Sequence, residues 1–352
     1  MKRQNLQIKT KIKRIRRPLT VKILLKIFGE LPLLNKFDGN IESIVIFAQE
    51  KIGDAILLTP LFKNLKKHIP NVKIHLVAFS PLYTFYELDK NIDVVYRVKQ
   101  DYLKYFKDIR KMKFDLLYCP KDHPSFTFLW HSRIIKARYK LGIYHENHNG
   151  FFNHLLNIDF NRHVIEKNCA LLDFLGITYQ NEDCRPYLPE QEISPECQIF
   201  LSEISSKRLI GLNLSAGEKK REWSLEKLID FIEKFNKPLI VLSSPERFED
   251  KQYLESKFNF IIKSPMTKSI YEVGQIIKDL ELLISPDTSL IHIASCFNTK
   301  VVGLYHGEKI HLNRFYPYLI PNKIVVSSTD NIEDIPINDV IDNINNLLNY
   351  NS

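Results

Sequence analysis

Glycine is scarce in this chain, 11 in 352 residues, and neither G-x-G-x-x-G nor G-x-x-x-x-G-K-[ST] occurs. The glycine-rich phosphate loops that mark dinucleotide oxidoreductases and P-loop enzymes are therefore missing. The five cysteines, Cys119, Cys169, Cys184, Cys197 and Cys296, form no C-x-x-C pair. That argues against a zinc site or a disulfide framework and points to a reducing compartment. D-x-D, a common metal-holding carboxylate pair, is absent too, so no metal or other cofactor is expected. No run reaches the roughly 18–20 apolar residues needed to cross a bilayer. No small-residue cleavage site follows the N-terminal apolar run, so a signal peptide is not expected.

Acids are missing from residues 1–26, which hold ten Lys or Arg: Lys2, Arg3, Lys9, Lys11, Lys13, Arg14, Arg16, Arg17, Lys22 and Lys26. Removing those ten from the formal +9 leaves residues 27–352 near −1. The basic character belongs to an arm, whereas a nucleic-acid reader more often spreads it over a folded face, so no nucleic acid is expected. Ile8, Ile12 and Ile15 stripe one helical face among these cations, and a more apolar run, Val21–Phe28, follows Pro18. The pattern predicts a basic amphipathic arm, residues 1–40, whose residues 1–26 lie on an anionic membrane surface. A solvated tail is the alternative.

What is present is an alternating series of apolar runs and helical periods. Ser43–Ala48 reads as a strand, Leu57, Leu61 and Leu65 as one face of a helix, and Val72–Ala78 as the next strand. This spacing makes a βαβ unit and hence parallel pairing. Pro60 either kinks that helix or starts it after Thr59. Further strands are expected at 94–98 and 116–119. Residues 121–168 are less legible and carry His123, His131, His145, His148, His154 and His163. Their spacing fits no zinc pattern, and surface or acceptor-binding positions are expected. A second series supplies strands near 208–214, 238–243, 258–262, 282–285, 301–305 and 324–327, with helices near 224–235, after Pro245, and at 270–278 and 337–348. The last helix is expected to pack back on the first half. The reading is α/β, with two Rossmann-like doubly wound domains facing a cleft: 41–186, a linker at 187–205, then 206–336, closed by a helix in 337–352.

In such sheets ligands sit beyond the carboxyl ends of the strands. Three turns occupy those ends: Gly53-Asp54; Ser215-Ala216-Gly217 with Lys219-Lys220-Arg221; and Asp287-Thr288-Ser289. The last opens a helix whose unpaired N–H groups and positive dipole end suit an anion, and His292 lies in its first turn. One carboxylate facing cations and a helix start suits transfer from a phosphate-activated donor. The carboxylate would deprotonate an incoming hydroxyl, and the basic groups would offset charge on the leaving phosphate. Plainer roles are helix capping for Asp54, Asp287 or Thr288, and a core position for His292.

These motifs carry a resemblance. Gly53-Asp54-Ala55-Ile56-Leu57-Leu58-Thr59-Pro60 resembles the G-D-x-x-x-x-T-P opening of the family 9 glycosyltransferases, the ADP-heptose:lipopolysaccharide heptosyltransferases and their relatives. Lys220-Arg221-Glu222-Trp223-Ser224 is similar to that family's K-x-W-P segment, and Pro286-Asp287-Thr288-Ser289-Leu290-Ile291-His292-Ile293-Ala294 to its P-D-T-G-x-x-H-x-A donor motif. The resemblance runs from about residue 41 to 320. It implies the two-Rossmann GT-B fold, with an acceptor-binding first domain and a donor-binding second one. It also implies metal-independent, inverting transfer from a nucleotide-diphosphate sugar, ADP-heptose foremost, to a lipid-linked lipopolysaccharide core acceptor. Such an enzyme would work in the cytoplasm, at the inner face of the cytoplasmic membrane.

By motif position Asp54 would be the general base. Thr288, Ser289 and His292 would hold the diphosphate, Asp287 would shape the turn, and Arg221, or Lys220 in its place, would contact phosphate. Ser289 stands for the family's glycine, Arg221 for its lysine and Ser224 for its proline, and His306-Gly307-Glu308-Lys309 replaces a proline-rich turn. Two alternatives stay open: another nucleotide sugar in capsule or outer-core synthesis, or a non-catalytic nucleotide-sugar-binding module.

Overall fold

The computed structural model describes residues 19–34, 37, 39–205, 207–307 and 309–349. The Ile8, Ile12 and Ile15 stripe and the end of the C-terminal segment lie outside them. The chain divides into two compact units, Met1–Lys51 with Leu61–Tyr179, and Ile52–Pro60 with Gln180–Ser352.

The first unit is built on strands β1 (Ser43–Phe47), β2 (Lys73–Ala78), β3 (Val94–Arg97), β4 (Phe114–Cys119), β5 (Ala137–Ile143) and β6 (His154–Leu156). They form a parallel sheet in the order β3-β2-β1-β4-β5-β6. β1 reads Ser-Ile-Val-Ile-Phe, with all but the serine buried. Such a continuous β-branched run is what a strand covered on both faces requires. β5 and β6 fall in the stretch that the apolar pattern left unread.

The second unit repeats the plan with β7 (Leu209–Asn213), β8 (Leu239–Leu242), β9 (Ile261–Ile262), β10 (Leu280–Pro286), β11 (Lys300–Tyr305) and β12 (Asn322–Val326). Its order is β12-β11-β10-β7-β8-β9, again all parallel. Counted within each unit, both sheets have the doubly wound order 3-2-1-4-5-6, which reverses direction between the first and fourth strands. In the second unit that switch point lies between β7 and β10.

Three placements differ from, or refine, the sequence reading. The terminal helix Ile337–Asn349 buries Val340, Ile344 and Leu347 in the second unit's own core, beside Leu304 and Val325. Residues 19–28 are helical, and Val21 and Leu24 join the core of the first unit. His131, His148 and His163 are 5%, 2% and 1% exposed, so these three histidines are not surface positions. Burial is tolerated because each ring has a local partner. His131 Nδ1 donates to Thr127 O at 2.7 Å and His148 Nδ1 to Ile143 O at 2.7 Å. His163 caps the helix Val164–Phe174 by accepting from Ile165 N. Among the described residues no group of three or more His, Cys, Asp or Glu is placed to hold a metal ion.

Candidate active site

The helix Ile52–His68 opens after Lys51, whose side chain makes no capping bond, and Asp54 stands in its first turn. Asp54 is therefore the third helical residue, not the cap, where a carboxylate meets the positive end of the dipole. Pro60 lies inside this helix. A proline there cannot donate to the carbonyl four residues back. That carbonyl, Ile56 O, accepts from Thr59 Oγ1 at 2.8 Å instead, and the same hydroxyl accepts from Tyr187 N at 3.0 Å. The threonine of the Thr59-Pro60 pair thus repairs the break and holds the segment to the second unit, to which Ile52–Pro60 belongs.

The switch point supplies the other half. β10 ends at Pro286, and the helix Ser289–Phe297 begins after Thr288. Thr288 is its N-cap, its side chain accepting from Leu290 N at 3.3 Å. Asn213, the last residue of β7, reaches across to this turn. Its Nδ2 lies 3.0 Å from Ser285 Oγ, 3.2 Å from Thr288 Oγ1 and 3.1 Å from Ser215 O. One side-chain amide therefore ties together the two turns at the carboxyl ends of adjacent strands. Ser215 Oγ extends the network by accepting from Ser244 N at 2.7 Å.

Arg221 approaches the same turn. Its Nη1 is 3.2 Å from Asp287 Oδ2, with the two side chains 19% and 9% exposed, and its Nε has no hydrogen-bond partner among the described residues. Lys220 stays outside, 40% exposed and 3.9 Å from Glu218 Oε2. Of the two cations proposed from sequence, Arg221 is the one at the helix start. Trp223 is buried and donates Nε1 to Ile332 O at 2.9 Å. Ser224 uses two groups that a proline lacks: its N–H donates to Glu333 Oε2 at 2.8 Å, and its hydroxyl caps the helix Leu225–Phe235 by accepting from Lys227 N at 3.1 Å.

His292 is 3% exposed, with its ring centroid 6.2 Å from that of Phe315. A Cβ on Gly53 would stand 3.1 Å from His292 Cδ2 and 3.6 Å from the Cα of Ser289. The two helix starts are therefore in contact: the turn that carries Asp54 lies against the turn that carries Ser289 and His292. Glycine at 53 permits an approach that a methyl group would crowd. Electrostatically, two positive dipole ends lie together, the Arg221 guanidinium pairs with Asp287 beside one of them, and Asp54 stands in the first turn of the other helix. That balance suits an anionic ligand next to a base.

Asn213, Glu222, Arg247 and Glu333 escaped the sequence reading. Glu222 Oε1 accepts from Ala216 N at 2.9 Å, and Arg247 Nη1 donates to Leu214 O at 2.8 Å and Trp223 O at 3.0 Å. Asn213 had one usable signal, a polar side chain ending a strand that is otherwise apolar and leads into the Ser215-Ala216-Gly217 turn. The others act through pairings 24 or more residues away, or through a local bond without a motif.

The family model of glycosyltransferase family 9 (heptosyltransferase) matches residues 102–338. The chain belongs to glycosyltransferase family 9, and the matched stretch holds the Arg221 and Asp287–His292 segments and begins beyond Asp54. Lipopolysaccharide heptosyltransferase 3 of Escherichia coli is 22% identical over 284 residues, 74% of this chain and 82% of that protein. The lipopolysaccharide core heptosyltransferase OpsX of Haemophilus influenzae is 20% identical over 278 residues, 75% and 79% of the two chains. Among solved structures, the family 9 glycosyl transferase of Veillonella parvula superposes with a TM-score of 0.70 at 20% identity, covering 89% of this chain and 99% of that one. The E. coli heptosyltransferase WaaC with ADP gives 0.63 at 14% identity, covering 87% and 98%. The two-sheet α/β fold of this protein is thus the GT-B fold of these heptosyltransferases, and the protein is a glycosyltransferase.

Proposed function

We propose that the protein transfers a heptose from ADP-heptose to a hydroxyl of a lipid-linked lipopolysaccharide core acceptor, with inversion and without a metal. The approach of Gly53 to His292 and Ser289 is the observation that supports this reading, since Asp54 is the next residue in the same first turn. Asp54 takes the proton of the acceptor hydroxyl. The new bond from that oxygen to the anomeric carbon forms as the bond from that carbon to the phosphate oxygen breaks. The nucleoside diphosphate leaves carrying the electron pair of the broken bond. Its charge is met by the N-terminal N–H groups of the helix Ser289–Phe297, with Ser289, His292 and Arg221. Thr288 and Asp287 serve mainly by shaping the turn, since Thr288 caps the helix and Asp287 pairs with Arg221. Lys220, from its exposed position, is the auxiliary cation.

Support for the donor comes from WaaC, whose solved complexes hold ADP and ADP-2-deoxy-2-fluoro heptose. The substituted turn at His306-Gly307 favours one second reading, the same chemistry with another nucleotide sugar in capsule or outer-core synthesis. We place the enzyme in the cytoplasm, peripheral to the inner face of the cytoplasmic membrane, through the ten cations of residues 1–26.

The test measures nucleotide release from ADP-, GDP- and UDP-sugars with and without a lipid-linked core acceptor. Acceptor-dependent release of ADP is expected. Asp54→Asn should cut turnover about 10²–10⁴-fold while nucleotide binding and folding persist. Near-normal turnover of that variant would remove Asp54 from the role, and no release from any donor would remove the transferase reading.

A further inference from the structure

The helix at residues 19–28 has two faces, and the fold uses one. Val21 and Leu24 are 8% and 1% exposed in the core of the first unit, with Leu25 and Phe28 packed beside them. The chain that follows is tied to the same unit. Arg133 Nη2 donates to Phe28 O at 2.7 Å, Leu31 N to Gly150 O at 2.9 Å and Leu34 N to Asn153 O at 2.9 Å.

The opposite face carries Leu19, Ile23 and Ile27, which are 61%, 48% and 62% exposed. They recur at i, i+4 and i+8, and exposed Lys22 and Lys26 flank them. At about 100° of turn per residue these five side chains share one arc, away from Val21, Leu24 and Phe28. A helix so firmly held, with an apolar stripe so exposed, has a second partner.

We infer that this stripe lies in the interfacial layer of an anionic bilayer, so that one helix belongs both to the core of the first unit and to the membrane surface. Charge complementarity selects the bilayer. The first acid of the chain is Glu30, and every ionisable side chain before it is Lys or Arg. A second copy seated on this stripe would set two such basic segments together, and like charges repel. The inference rests on the membrane part of the proposed function and adds to it. The basic arm supplies an attraction that salt screens, and the stripe supplies apolar burial that salt leaves in place.

The experiment is co-sedimentation of the full chain with phosphatidylcholine–phosphatidylglycerol vesicles, without nucleotide sugar or acceptor, so that transferase activity has no bearing on the result. At about 1 M salt, where the screening length falls to about 3 Å, the wild-type chain should stay bound. The triple variant Leu19→Ser, Ile23→Ser, Ile27→Ser should lose about tenfold or more of that salt-resistant partitioning. It should keep its low-salt binding and its melting temperature. A single variant, Ile23→Trp, should show a blue shift of its added emission on vesicles. Equal high-salt partitioning of the triple variant, or an unshifted tryptophan, overturns the insertion. A wild-type dimer in solution that the triple variant converts to monomer, with vesicle binding unchanged, overturns it in favour of self-association. Absence of binding at any salt overturns the membrane docking as a whole and leaves the transferase reading standing.

Discussion

The two units share one strand order, and one polar cluster in each is disposed in the opposite way to the other. In the first unit, polar groups near the strand ends are sealed inward. Lys167, its side chain 2% exposed, pairs with Asp122 at 2.5 Å and also donates to Phe160 O at 2.6 Å. His131 and His148 are locked to backbone carbonyls. Burial holds the His148 imidazole down to about 4, well below its ordinary range. In the second unit, an amide, two hydroxyls and a guanidinium gather around a helix start. A buried ion pair with every group partnered is structural, whereas an arginine held by one carboxylate beside a helix start is poised for an anion.

The sharpest way to break this comparison is to open the sealed side. Lys167→Met leaves Asp122 buried with its main counter-charge gone, and a loss of about 3–5 kcal/mol is expected in denaturant unfolding. A change under about 1 kcal/mol would mean that the pair is solvated and the contrast is false.

The histidines give a pH-dependent version. His148 is depressed in the folded state relative to about 6.5 unfolded, so the unfolded chain binds the extra proton between those values. Stability should therefore be complete above about pH 6.5 and fall as pH drops toward about 4. His131 is lowered by burial as well and adds to the same slope. His148→Gln should flatten the profile, and an equal slope in wild type and variant would reassign it to other groups.

On the open side the expected effect moves from stability to affinity. Arg221→Gln removes a charged hydrogen-bonding group worth about 1.5–3 kcal/mol, or roughly 10–100-fold in nucleoside diphosphate affinity by calorimetry. Losing its ion pair with Asp287, whose side chain is 9% exposed against 19% for the arginine, should cost less folding stability than that affinity loss. A stability loss larger than the affinity loss would return Arg221 to a structural role.

The smallest effect separates geometry from chemistry. Gly53→Ala places a methyl 3.1 Å from the His292 ring. Stability should change by about 1 kcal/mol or less, since alanine is the better helix former. Nucleotide affinity should fall measurably as the ring is displaced. Unchanged affinity would show that the ring yields without touching the ligand.

Most of the strands were legible because parallel strands covered on both faces are continuous apolar runs. Ile44–Phe47 and Leu282–Ile284 were plain for that reason. β5 was not, because Arg138 and Lys140 interrupt it, and the burial of Lys140 depends on Ser132 O accepting from its Nζ at 2.6 Å. β6 has three residues, too few for any period. Within the site, the hydroxyl-rich turn and the basic segment could be read locally. Asn213 could not be given its partners, because Ser285 and Thr288 lie 72 and 75 residues on. The helix at 19–28 shows the same limit. Its apolar run was visible, yet only the fold shows that Val21 and Leu24 enter the core while Leu19, Ile23 and Ile27 stay exposed.

By itself the sequence determined the class of fold, the family and the turns that could bear chemistry, because periodicity, turn composition and short motifs are local properties. Tertiary structure alone decided that Arg221 and not Lys220 meets Asp287. It decided too that Thr59 meets Tyr187, and that Gly53 lies against His292. Each of these depends on which side chains burial brings within a few ångströms, and no spacing along the chain encodes that distance.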